Sequence, residues 1–334
     1  MRSITFALVM TSILPSCQKA AAYDGPVYVA LPAPLLKMSR NTEINPHETS
    51  IHLSRDKMEL IYQFKPAAKA ESAQYLYLPI APFDSDYADN KSAFSGDLAS
   101  DPLGVNATFN AVPIDFKAVA RASYLGVDLT GDLKNAGIPL APFGNATAAA
   151  INTLSGALRA DFTERGIISQ WGPLWTLETT YVARQVFQPG QPSELKISYR
   201  PIIGTYVESI VQIGGKLVYG LDAEKLDFLC LKPDQLAVIR KRFRARKNEK
   251  PYRPYKIHNI SMKLENANPQ YGSISGLTFI VDINKPADIL ASCGGKFVRS
   301  GPLQYVWKED FAEEVPELKL FFLQAVEGDS PDDP

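Results

Sequence analysis

Residues Trp171–Gly204 read WGPLWTLETTYVARQVFQPGQPSELKISYRPIIG. From Trp175 to Phe187 the large apolar side chains Trp175, Leu177, Tyr181 and Phe187 fall on odd positions, and Thr176, Glu178, Thr180 and Arg184 on even ones. That period of two belongs to a strand with one buried and one wet face. Pro189, Gly190 and Pro192 then supply turn chemistry, after which Leu195, Ile197 and Tyr199 alternate with Glu194, Lys196, Ser198 and Arg200. The stretch predicts two strands joined as a β-hairpin, and it contains no pair of groups arranged for chemistry.

The same pattern recurs outward from this stretch. Upstream, Met58, Leu60, Tyr62 and Phe64 alternate with Glu59, Ile61, Gln63 and Lys65. After a polar break, QYLYLPI from Gln74 to Ile80 continues with apolar residues on both faces, so both faces are expected to be buried. Asp84, Asp86, Asp89, Asp97 and Asp101 mark a long acidic surface loop. A helix is expected over Ala146–Arg165, where Ile151, Leu154, Leu158 and Phe162 form a stripe between Asn145 as cap and Gly166 as stop. Downstream, Tyr206–Tyr219 predicts two strands turned at Gly214 and Gly215, and Pro233 opens a second helix running to about Lys247. Further strands are expected in Tyr255–Leu264, Leu277–Ile283, Phe297–Trp307 and Leu318–Leu323. The fold class predicted is mainly β, an antiparallel sandwich-like arrangement with two packed or inserted helices. Regions 23–205 and 206–326 are the expected divisions, with one domain or two left open.

The first residues, MRSITFALVMTSILPSCQKAAAY, have a basic start, a short apolar run and small residues at Ala20–Ala22, the architecture of a signal peptide over 1–22. Alternatively, Leu14-Pro15-Ser16-Cys17 is a lipoprotein signal with Cys17 as the lipidated residue. Either reading removes Cys17 from the free thiols and leaves Cys230 and Cys293, an even pair in an exported chain, expected to form a disulfide or else to be two buried thiols. No later stretch approaches the roughly 20 apolar residues of a spanning helix. The last residues, 327–334, form an acidic tail expected to be disordered. With 35 basic and 36 acidic residues, the global charge points to no nucleic acid partner.

Several local motifs, in this order, resemble a bacterial family known only as domain of unknown function 4424. They are Ala22-Tyr23-Asp24, MELIYQF from Met58, YLPIAPF from Tyr77, AGIPLAP from Ala136, Trp175 with FQPGQP from Phe187, YRPIIG from Tyr199, and CLKP at Cys230 with the second cysteine at Cys293. The resemblance implies an exported, β-rich bacterial protein; it carries over no activity and no catalytic residue.

Sites of chemistry are correspondingly sparse. His47, His52 and His258 are the only histidines, with no cluster to make a zinc site. Asp84, Asp86, Asp89 and Asn90 lack the glycine and glutamate of an EF-hand loop. There is no G-x-S-x-G elbow, and neither GGK has phosphate-loop spacing. No catalytic residue, metal or cofactor is predicted. The one concentrated charge is basic: Arg240, Lys241, Arg242, Arg244, Arg246 and Lys247, continued by Lys250, Arg253 and Lys256. It is either a solvated helix face favourable to the negative helix end, or a contact patch for anionic lipid, polymer or an acidic partner. The function expected is a non-catalytic binding or interaction module in the periplasm or on its membrane surface, its partner an envelope protein, lipid surface or polymer. The competing expectation is an exported hydrolase whose carboxylates converge only in the fold and act on an envelope polymer.

Overall fold

The computed structural model describes residues 31–39, 43–67, 69–86, 101–213, 216–219, 226–244 and 252–326, with the side chains at 208–209, 211–213, 218–219, 226, 243–244 and 252–254 excepted. The expected signal peptide, Cys17 and the acidic tail lie outside the described residues. Strands make up 48% of the chain and helices 15%, and the sheets are antiparallel almost throughout.

Three sheets carry the architecture. An eight-stranded sheet runs, in spatial order, Val298–Arg299, Gln304–Glu313, Ser273–Asp282, Pro46–Leu53, Met58–Phe64, Ser193–Tyr199, Asn106–Phe109 and Val112–Ile114. One five-stranded sheet runs Lys37–Met38, Ser72–Pro79, Thr176–Phe187, Lys117–Tyr124 and Val127–Asp128. The other runs Lys216–Tyr219, Gly204–Ile213, Tyr252–Leu264, Val315–Ala325 and Ile289–Cys293. The pairing of Ser273–Asp282 with Pro46–Leu53 is parallel. Gly276 makes it possible: its φ is +55°, and a Cβ there would sit 2.8 Å from the carbonyl oxygen of His47.

Both strands of the central stretch form as their alternation predicts, with Leu177, Tyr181 and Phe187 buried on one and Leu195, Ile197 and Tyr199 on the other. They do not pair with each other. Thr176–Phe187 is hydrogen-bonded between Ser72–Pro79 and Lys117–Tyr124, whereas Ser193–Tyr199 lies between Met58–Phe64 and Asn106–Phe109. The turn at Gln188–Pro192 therefore carries the chain from one sheet to the facing one, an arch in place of the expected hairpin. The reason is that each strand has a full apolar face to bury, and facing layers bury both at once. Phe187 meets Phe64 and Phe109 of the opposite sheet edge-on, with centroids 5.0 and 5.2 Å apart. Met58–Phe64 followed by Ser72–Pro79 makes the same crossing, so two arches stack strand for strand. In Ser72–Pro79 only one face is buried; Tyr75 and Tyr77 lie on the outer face, contrary to the expectation of two buried faces.

Apolar positions from all three sheets join in one continuous core. Its largest polar side chains are anchored: the Trp175 indole donates to the Leu140 carbonyl at 2.8 Å, the Tyr199 hydroxyl to Pro34 at 2.6 Å, and the Tyr181 hydroxyl to Asp101 at 2.7 Å while accepting from the Leu103 amide. Full burial of its Leu, Ile, Val, Phe and Met side chains stabilises by about 1.5–3 kcal/mol each. The sheet containing Tyr252–Leu264 is buried on both faces: Ile260, Met262 and Leu264 join the main core, and Tyr255 and Ile257 join a second, smaller cluster.

Four helices are present among the described residues, two more than expected. Thr130–Asn135 is a short one. The helix expected over Ala146–Arg165 is broken into Asn145–Asn152 and Gly156–Glu164. Gly144, not Asn145, stands at the first cap. The Thr153 hydroxyl donates back to the Ala150 carbonyl at 2.9 Å, ending the first helix, and the Ser155 hydroxyl accepts the Leu158 amide, starting the second. Gly156 thus sits at a helix start, where it costs little, and not in an interior. The fourth helix, Pro233–Arg244, covers the outer cluster of the second five-stranded sheet.

Candidate functional site

The basic run lies on the helix Pro233–Arg244. Lys232 precedes it, and the Gln235 side chain accepts the Lys232 amide at 2.9 Å, closing the first turn. The same Gln235 donates to the Leu290 carbonyl at 2.5 Å, which fixes the helix to the edge strand Ile289–Cys293. Ile239 is fully buried in the second cluster. A disulfide between Cys230 and Cys293, with Cα atoms 5.4 Å apart, ties the residues just before the helix to the end of that strand. Cys230 itself has φ 50°, a left-handed conformation uncommon for a residue with a side chain.

The predicted basic residues separate once folded. Arg240 and Lys241 are exposed. Arg242 turns inward, half-buried, and its Nη2 donates to the carbonyl oxygen of Ala287. The side chain of Arg244, and Arg246 and Lys247, lie outside the described residues. What the periodicity of the helix could not show is the opposite wall, which comes from chain some fifty residues on: the turn Pro286–Asp288, then Val298, Arg299 and Tyr305. Together they enclose a cleft of about 310 Å³.

Three cations line this cleft, and each is held by carbonyl oxygens. The Lys232 ammonium donates to Phe297 at 3.0 Å, and the Arg299 guanidinium to Gly301, Pro286 and Pro302 at 3.1, 2.8 and 2.5 Å while lying over the Tyr305 ring. Carbonyls satisfy donors without cancelling charge, and among the ion pairs of the described residues none includes Lys232, Arg242 or Arg299. The Nη1 of Arg242 is buried with no hydrogen-bond partner. Two carboxylates also line the cleft. Asp234 is exposed, and Asp288 is buried and accepts the Lys285 amide at 3.1 Å. Burial raises the Asp288 pKa above the ordinary carboxylate value, against the opposing pull of that amide and of Lys285, Arg55 and Arg242.

A larger cleft of about 640 Å³ opens between the hairpin Asn106–Phe109/Val112–Ile114 and the start of Lys117–Tyr124. Asp101, Asp115, Lys117 and Lys196 are among the residues that line it. Asp101 is occupied by the Tyr181 hydroxyl and the Val105 amide, and Asp115 is exposed. The histidines do not converge: His47 is exposed, His52 bonds Asp282 at 2.6 Å, and His258 is buried. Among the described residues no three of His, Cys, Asp and Glu come together as metal ligands. Asp86 folds back on Asp84 through its amide, while Asp89 and Asn90 lie outside the described residues. Among those same residues no helix is long and apolar enough to cross a membrane.

Residues 28–320 match the family described as Domain of unknown function (DUF4424). No curated protein matches the chain. Among solved structures it is similar to a Legionella pneumophila protein for which a nutrient-binding role has been suggested, with 10% identity, a TM-score of 0.44, and coverage of 89% of this chain and 72% of that one.

Proposed function

The chain belongs to the DUF4424 family, and from the geometry of this member we propose a non-catalytic, extracytoplasmic binding module that engages an anionic surface of the cell envelope through the basic side of the helix Pro233–Arg244. The observation that carries this reading is the concentration of Lys232, Arg242 and Arg299 around one cleft, unneutralised by ion pairs, with Arg240 and Lys241 exposed beside it. In a chain of nearly balanced charge, five cations against the two carboxylates Asp234 and Asp288 present a local positive potential there. The compartment is supported by the Cys230–Cys293 disulfide, since such bonds persist where the surroundings are oxidising.

Vesicle co-sedimentation tests it. Binding to vesicles with anionic lipid should exceed binding to neutral ones at low salt, and should weaken as salt rises. Replacing Arg240 and Lys241 by Gln should weaken it by about 1 kcal/mol per cation removed. Equal partition onto neutral and anionic vesicles, together with turnover in a glycan hydrolase screen that Asp115→Asn abolishes, would replace this reading by the hydrolase one, with the larger cleft as its site.

A further inference from the structure

We infer that the cleft beside the helix Pro233–Arg244 seats the phosphate of an anionic phospholipid headgroup, which rests on the anionic-surface reading and narrows it to a lipid. Arg242 is the residue that would receive the phosphate. Its guanidinium is fixed at one end by the Ala287 carbonyl, and its buried Nη1 has hydrogen to donate and nothing to donate to. A buried donor without a partner is costly, and an incoming oxyanion relieves that cost with a charge-assisted bond. Lys232 and Arg299, whose hydrogen bonds go to carbonyls, also line the cleft and add positive potential.

Size and rim distinguish a lipid from a free phosphate ester. A volume of about 310 Å³ admits a headgroup and leaves no room for acyl chains, which must stay outside. Two of the apolar groups that line the cleft are themselves exposed. Val238 on the helix is 44% exposed and Val298 on the opposite wall is 65% exposed, and both line the cleft. Exposed valines flanking a cationic cleft suit the boundary between headgroups and hydrocarbon, with Arg240 and Lys241 reaching neighbouring headgroups. A soluble phosphate ester would gain nothing from the valines.

The walls of the cleft are already tied together. The Cys230–Cys293 bond and the Gln235–Leu290 hydrogen bond join the helix to the strand opposite, so the backbone frame of the cleft is set in advance, and what a ligand has to move is the Arg242 side chain, whose Nη1 is covered until it turns toward the cleft.

The full mature chain would be titrated with phosphatidylglycerol vesicles and with phosphatidylcholine vesicles, and by calorimetry with glycerol 3-phosphate. We expect Arg242→Gln to weaken phosphatidylglycerol binding by about tenfold, more than the roughly fivefold expected of any one surface cation, and Arg242→Lys to restore only part of it. Val238→Ser with Val298→Ser should weaken binding several-fold even in high salt, where surface charge is screened. Circular dichroism and melting of each variant separate lost binding from lost fold. If Arg242→Gln binds as the parent does while Arg240→Gln with Lys241→Gln does not, the cleft inference falls and the surface reading stands. If glycerol 3-phosphate binds as tightly as vesicles and the serine variants are unaffected, the lipid is excluded as the ligand. Failure of every anionic vesicle at low salt removes both.

Discussion

His258 is 2% exposed, on the face of Tyr252–Leu264 that joins the main core. Its Nδ1 shares a hydrogen bond of 2.8 Å with the Thr205 hydroxyl, and its Nε2 is buried without a partner. Burial, with Arg55 and Lys256 adding positive charge, lowers its pKa to about 4. In the unfolded chain the imidazole takes a proton near the ordinary value of about 6.5. Between these two values the unfolded state binds more protons, so stability is level above about pH 6.5 and falls as the pH drops toward 4, by about 3 kcal/mol in all. Urea melts at pH 7.0 and 4.5 should show this loss, and His258→Gln, which keeps an amide for Thr205 but does not titrate, should remove most of the slope. An unchanged slope in the variant would assign the acid sensitivity to other groups. Nothing in the sequence around His258 distinguishes it from His47 or His52; its burial comes from strands far away in the chain.

Among the elements, what depends on nearest neighbours was legible and what depends on partners was not. Thr176–Phe187 and Ser193–Tyr199 could be read because side chains alternate across a strand whatever lies beside it. Their separation into two sheets could not, since a five-residue turn serves a hairpin and an arch equally. The break at Thr153–Ser155 did leave a mark, because Ser155 before Gly156 is a cap signal, but the apolar stripe through Leu154 and Leu158 runs across it and reads as one helix. For the cleft, the basic half was visible as a run of cations, whereas Pro286–Asp288 and Val298–Arg299 carry no pattern that announces a wall. The helix Pro233–Arg244 rests on a small cluster and on the disulfide, which closes a loop spanning 63 residues. Replacing Cys230 and Cys293 by Ser should cost about 4 kcal/mol by the loop-entropy argument. The loss should be felt first in this helix: hydrogen exchange at 233–244 is expected to quicken well before exchange in the eight-stranded sheet. Uniform acceleration across all strands would show instead that the bond stabilises the molecule as a whole.

Across the whole molecule, the join between Pro46–Leu53 and Ser273–Asp282 sets an order of events. One edge of Pro46–Leu53 pairs with Met58–Phe64, next to it in sequence, but the strand that covers its other edge comes more than two hundred residues later. Only then do Ile51 and Leu53 gain Phe279 and Val281 as neighbours. Long-range closure of this kind puts folding in the millisecond-to-second range or slower, and a stopped-flow refolding trace should show it. A chain ending before Ser273 is expected to give no cooperative melt and to aggregate through the uncovered edge, while the full chain melts in one transition. Two separate transitions, or a well-folded fragment ending near residue 205, would show that the halves close independently. A first third whose sheet is closed by a strand from the end of the chain keeps one edge bare until synthesis is nearly over, so a partner that covers the edge of Pro46–Leu53 would have most of the time of synthesis in which to do so.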